Sequence, residues 1–210
     1  MAIDNLNLLQ QFLVFDNTED DYYLLQTIQR RKEHPDLKIN NRVVDTVYIY
    51  SGDLERKYDR IKQRAEYFNA RVYLRLNRRS AEATAKYHLV KIAQLLQQNN
   101  FKAMKDAYSS SAGEHHSDPN KKWLLDIDGE MIQYKNLIVD SMNEVPYKKG
   151  TVLAEVPTKN GIHLITDTFN QQDFQRILSR RFLKEGIEFS GIDIHKDNPT
   201  LLYYKEPTNA

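Results

Sequence analysis

From residue 123 to residue 204 the hydrophobic pattern changes period in a fixed order, and this order limits the fold more than any other feature of the chain. Residues 123–127 alternate as a strand. Residues 130–143 carry helical spacing, and 151–156 and 162–166 are two strands joined by a tight loop. Residues 171–184 are helical again, and 189–194 and 201–204 return to strand. The order β-α-β-β-α-β plus a terminal strand predicts a ferredoxin-like or RRM-like sheet with its helices on one face. Such a fold hosts many functions, so function has to be read from side chains.

The first half has a different character. Leu6, Leu9, Phe12 and Leu13 form a short apolar stripe. Tyr23, Leu24 and Ile28 form another, ending near His34-Pro35, because the residue before a proline disfavours helix. The first forty residues therefore read as helical. Residues 43–50 are β-branched and aromatic and read as a strand. Ser51-Gly52-Asp53 then turns into a charged helix over about 54–68, and 71–77 is an alternating strand. Ser80 is placed to cap a long helix reaching about residue 100, with Ala85, Leu89, Ile92 and Leu96 on one stripe. Residues 108–120 are rich in Ser, with Gly, Asp and Pro, and read as a loop. The expected class is α+β: an N-terminal helical α/β unit over 1–107, an RRM-like unit over 121–210, and the loop 108–120 between them within one integrated domain.

Composition removes several chemistries. The chain has no cysteine, which excludes disulfide scaffolds, cysteine nucleophiles, thiolate zinc sites and Fe–S clusters together. Mean hydropathy is -0.68, and no apolar run approaches the ~18 residues of a membrane helix. The first residues lack a basic segment followed by a long apolar one, so no signal peptide and no membrane partner are expected, and the expected location is cytoplasmic. The net charge of +1 leaves any nucleic-acid binding to a local patch. The phosphate-cradling glycine motifs are absent, as is G-x-S-x-G, and Ser51, Ser80 and His88 make no recognisable nucleophile triad.

Chemistry-bearing residues gather on one face of the second-half strands. Side chains two apart in a strand share a face. Asp126 and Asp128 therefore point away from Trp123, Leu125 and Ile127. His163 points away from Ile162 and Leu164, and Asp193 and His195 point away from Ile192 and Ile194. Each strand has an apolar side for the helices and an acid or imidazole on the other. Carboxylates held together are costly unless a cation or proton neutralises them. An all-oxygen set suits Mg²⁺ or Mn²⁺. Taken alone, Asp-x-Asp at a strand end is an ordinary solvated acid pair; it is the shared face and order that point to a site.

These residues resemble the archaeo-eukaryotic primase superfamily, the primase-polymerase catalytic core. Its pattern is an hhhDhD strand, a small-x-His strand and an hDh strand. Here these read Trp123-Leu-Leu-Asp126-Ile-Asp128, then Gly161-Ile-His163, then Ile192-Asp193-Ile194. The resemblance covers about residues 43–207. It implies a primase-polymerase-like fold. The implied activity is metal-dependent nucleotidyl transfer, in which nucleoside triphosphates extend a 3′-hydroxyl on a nucleic-acid template. Asp126, Asp128 and Asp193 would hold Mg²⁺ or Mn²⁺, and His163 would contact the triphosphate. Lys159, Asn160 and Gly161 lie in the preceding loop and would approach the phosphates. The chain departs from the family in this loop, where Pro157-Thr158-Lys159-Asn160-Gly161 replaces a Ser/Gly-rich run. It also lacks a cysteine-based zinc module, so a helicase or other replication protein is expected as a separate partner.

Cations supply the candidate contacts to single-stranded or primed nucleic acid. Arg71, Tyr73, Arg75 and Asn77 share a strand face, and Arg78 and Arg79 follow. The same pattern also suits a solvated edge strand that resists aggregation. Arg176, Arg180 and Lys184 recur at helical spacing beside Arg181, as template contacts or as a solvated face. Glu155 is a further acid, Asp197 replaces Asp193 if the strand register shifts, and His115-His116 has no matched ligands nearby. Two rival functions remain: a metal-dependent phosphodiesterase or nuclease that uses the same acids, and a catalytically silent replication accessory module that binds single strands through the RRM-like sheet. Of only seven glycines, Gly129, Gly161 and Gly191 flank the acid and histidine positions.

Overall fold

Tyr22, Tyr23, Leu24 and Leu25 are at the centre of the first half, each at most 2% exposed, and they lie in a strand. This corrects the helical expectation for residues 21–30, whereas residues 6–12 are helical as expected. A central strand covered on both faces loses its alternation and becomes a continuous apolar run, which periodicity cannot tell from a buried helix. The computed structural model describes residues 1–114, 118–189, 191–197 and 199–207. Its strands in chain order are β1 (Ala2–Asp4), β2 (Asp21–Arg30), β3 (Asn41–Ile49), β4 (Arg71–Leu74), β5 (Arg79–Ser80), β6 (Trp123–Asp128), β7 (Val152–Pro157), β8 (Gly161–Thr166), β9 (Asp193–His195) and β10 (Thr200–Lys205). The helices are α1 (Leu6–Leu9), α2 (Asp53–Tyr67), α3 (Ala81–Gln97), α4 (Phe101–Met104), α5 (Ala107–Glu114), α6 (Lys135–Asn143) and α7 (Gln171–Lys184). The class is α+β with antiparallel sheets. No helix among the described residues is long and apolar enough to cross a membrane.

The chain forms two units, Met1–Pro119 with Leu202–Ala210, and Asn120–Leu201. The first unit's sheet has the order β1-β10-β4-β2-β3, with β5 also on β2. Pairing of Leu25 with both Leu74 and Val47 fixes β2 between β4 and β3. Helix α2 presents Leu54, Tyr58, Ile61 and Ala65 as its buried stripe, with the spacing expected of an amphipathic helix. The Tyr58 hydroxyl donates to Asp4 at 2.5 Å, and Lys205 pairs with Glu66 at 2.7 Å, which ties α2 to β1 and β10. Ser80 caps α3 as expected, accepting the Ala83 N–H at 3.0 Å. Of the expected loop 108–120, residues 108–114 belong to helix α5, and 115–117 lie outside the described residues. The small residues Ala107, Ser111 and Ala112 of α5 are buried, and the Ser111 hydroxyl donates to the Ala107 carbonyl.

In the second unit the βαββαβ order is as expected, and the helix over Gln171–Lys184 agrees to the residue. The sheet order is β7-β8-β6-β9, the split-βαβ arrangement, with each described pairing antiparallel. One face packs Leu125, Ile127 and Leu164 against Ile138 and Met142 of α6 and Phe174, Leu178 and Phe182 of α7. Burying side chains of this size contributes ~1.5–3 kcal/mol each. That reserve lets the opposite face carry acids.

Candidate catalytic site

Three of the four candidate side chains fall in one row across the sheet. Asp126 of β6 is directly opposite His163 of β8 and directly opposite Asp193 of β9. Directly paired residues share a face, with Cβ atoms about 4.5–5.5 Å apart. Asp128, two residues on, is opposite Gly161. The alternation in the sequence and the register of the sheet thus agree on the common face.

The parts of the row differ in accessibility. Asp128 and Asp193 are exposed, Asp126 is 33% exposed and His163 is 12% exposed. Val156, Leu124 and Ile165 on the same face are buried. The accessible part of the face is therefore the end of β6 near Asp128. His163 is held from both sides: Nδ1 is 2.9 Å from Thr200 Oγ1, and Nε2 is 3.5 Å from Asp126 Oδ1. The carboxylate beside Nε2 favours the proton there, so Nδ1 accepts from the Thr200 hydroxyl. Thr200 is fully buried and orients the ring. It was not foreseen in the sequence, where nothing marks a threonine at a strand start as a histidine's partner 37 residues away.

Glycine shapes both ends of the row. A Cβ at Gly161 would lie 2.1 Å from the Ile127 carbonyl oxygen and 2.5 Å from Asp128 Oδ1. Only a residue without a side chain lets β8 start this close to β6. Gly191 has φ +115°, a conformation open to glycine, just before Asp193. The turn between β7 and β8 is closed by the Thr158 N–H donating to the Gly161 carbonyl at 2.9 Å and the Gly161 N–H donating to Thr158 Oγ1 at 3.0 Å. The Gly129 N–H donates to the Asn160 carbonyl at 3.2 Å and fastens this turn to the end of β6.

The donor chemistry fits a hard divalent cation. Asp126 and Asp193 are like charges directly opposite one another, an arrangement that destabilises a sheet unless something neutralises it. Their donors are carboxylate oxygens, the set Mg²⁺ and Mn²⁺ prefer. The side chains stand as a row and not around a point: no group of three or more His, Asp or Glu among the described residues has metal-holding geometry. Glu155 lies outside the row. It is opposite Leu164, on the helix side, and pairs with Lys135 at 2.8 Å.

The cations of the first unit are mostly engaged internally. Arg79 is fully buried, its Nε donating to the Ala112 carbonyl at 2.5 Å and its Nη1 to the Asn77 carbonyl at 2.6 Å. Arg71 is buried against Glu33 and lies 4.9 Å over the Tyr204 ring. Arg78 pairs with Asp16 at 2.7 Å and Asp21 at 3.0 Å. These three are engaged within their own unit, and Arg71 and Arg79 are buried there. Arg75 is half-buried, with Nε 3.4 Å from Gln26 Oε1. Arg180 is exposed on α7. Lys159 is half-buried and Asn160 exposed in the β7–β8 turn. His115 and His116 lie outside the described residues.

No protein-family model, curated protein or solved structure matches this chain, so the functional reading rests on its own residues.

Proposed function

We propose that the second unit is the catalytic part of a metal-dependent nucleotidyltransferase of the primase-polymerase type, extending a 3′-hydroxyl on a nucleic-acid template from nucleoside triphosphates. The observation that carries this reading is the single row His163–Asp126–Asp193, in direct register, with Asp128 seated over Gly161. In it Asp126, Asp128 and Asp193 would hold Mg²⁺ or Mn²⁺. When bound, such ions activate an attacking hydroxyl and stabilise the leaving phosphate.

The chain's own groups position the substrate. Thr200 fixes the His163 ring so that its Nε2 edge faces the acid row, where the triphosphate is expected. The Gly161 N–H is already given to Thr158, so phosphate contacts from this turn fall to the side chains of Lys159 and Asn160. Lysine serves there as a point charge for phosphate. Arg180 is one of the exposed cations of the same unit and would meet a template strand. A helicase or replication protein would act as a separate partner.

The test is extension of a labelled primer on a single-stranded template with Mn²⁺ or Mg²⁺. Wild type is expected to extend it, and Asp126→Ala with Asp128→Ala to lower the rate at least ~10²–10³-fold without loss of melting temperature. Equal extension by both proteins overturns the reading. Cleavage of the labelled strand without extension replaces it with a phosphodiesterase. Single-strand affinity that survives loss of both acids, with no extension and no metal-linked thermal shift, replaces it with a binding module.

A further inference from the structure

Helix α3 turns a largely polar face to its own unit and carries an apolar face on the other side. Its inner face is turned to α5: Thr84 is buried, His88 packs edge-on against Tyr108 at 5.4 Å, and Lys91 donates to Ser110 and Glu114, each at 2.6 Å. The stripe expected to face a core lies on the other side. Leu89 is 69% exposed, Leu96 47% and neighbouring Val90 55%. Ala85 and Ala93 are exposed as well, and Ile92 is half-buried. An apolar helix stripe ordinarily packs against something.

We propose that the outer face of α3 is a self-association surface, on which a second copy of this chain docks as an antiparallel helix pair. The spacing of Ala85, Leu89, Ile92 and Leu96 is four, three and four residues, the seam of two helices packed side by side. The seam is complementary to itself. With a two-fold axis midway between Leu89 and Ile92, each Leu89 meets the second copy's Ile92, and each small Ala85 meets the second copy's large Leu96. The face also lacks the charge that would select a partner of opposite sign. The seam is uncharged, and the adjoining Glu82 and Lys86 pair with each other.

The area suits a weak dimer. Leu89, Val90, Leu96 and Phe101, which is 61% exposed just beyond the helix, each offer about 100 Å². Two copies together bury roughly 1,000 Å², the lower bound of a specific interface. Dissociation is expected in the roughly 10–100 μM range.

Sedimentation of the full chain across that range tests this inference. The average mass is expected to rise towards that of a dimer. Leu89→Lys should weaken association at least about tenfold, with an unchanged melting temperature in dilute solution, because the side chain is exposed. The chain has no cysteine, so introduced thiols report cleanly. Residues 85 and 96 of one helix are about 16 Å apart, beyond the ~7 Å reach of a disulfide. Ala85→Cys with Leu96→Cys should therefore cross-link only between copies, and at least about tenfold faster than Leu96→Cys alone. A monomer mass at every concentration overturns the proposal, and is also the result if another part of the same chain covers α3. Association unaffected by Leu89→Lys overturns it too.

Discussion

A single methyl group at position 161 is expected to destabilise the second unit severely. In Gly161→Ala the new Cβ would lie 2.1 Å from the Ile127 carbonyl oxygen and 2.8 Å from the Asp128 Cα. Both are backbone atoms of β6, so neither can turn aside as a flexible side chain could. The β6–β8 ladder has to open at the Asp128–Gly161 pair. Ordinary overpacking costs ~1–3 kcal/mol. A backbone collision in a central pair is expected to cost about 3 kcal/mol or more, a large share of the ~5–15 kcal/mol that holds a domain folded. Denaturant unfolding of the full chain, followed through Trp123, reads this directly. Under the proposed function primer extension is lost as well, with all acids and His163 in place. A Gly161→Ala protein as stable as wild type would show that the two strands separate there without cost.

Arg79 gives the second large effect. Its guanidinium is fully buried and donates to the carbonyls of Ala112 and Asn77. Arg79→Met fills most of the volume but leaves those carbonyls without these donors. Leaving a buried carbonyl without its donor costs ~1–3 kcal/mol, and two are affected here. Arg79→Lys is expected to recover only part of this, because one ammonium cannot reproduce the planar fork. The loss should appear as lower unfolding stability of the first unit. Nucleic-acid affinity, measured where the protein is still folded, should not change. A fully stable Arg79→Met protein with weakened nucleic-acid binding would restore the surface role that the sequence suggested.

The contrast at Arg79 shows which properties are local. Strand alternation placed Asp126, His163 and Asp193 on one face without any knowledge of neighbours, because the period of a strand is a property of the chain itself. Their exact pairing in one row needed the sheet register, which depends on turn lengths and core packing together. Arg71, in contrast, has its partner Glu33 at a distance of 38 residues, and no pattern around either residue announces the pair. Helix α7 was legible because its apolar stripe and the Asn170 cap agree, the cap accepting the N–H groups of Gln172 and Asp173. Helix α5 was not. Tyr108-Ser-Ser-Ser-Ala-Gly has little helix propensity, and packing of its small residues decides the outcome. Strand β2 failed for the opposite reason, since burial on both faces erased the alternation that identifies a strand.

The position of β10 affects how the molecule is made. It lies between β1 and β4 in the first sheet, yet it follows the entire second unit in the chain. On a ribosome, β1 and β4 emerge early and wait with an open slot between them. At roughly 5–20 residues per second the wait is on the order of ten seconds. Over that interval the facing edges of β1 and β4 are unpaired templates for any passing strand. The first unit is begun first and completed last, and its nascent form is the stage at which the chain most needs protection from pairing with its neighbours.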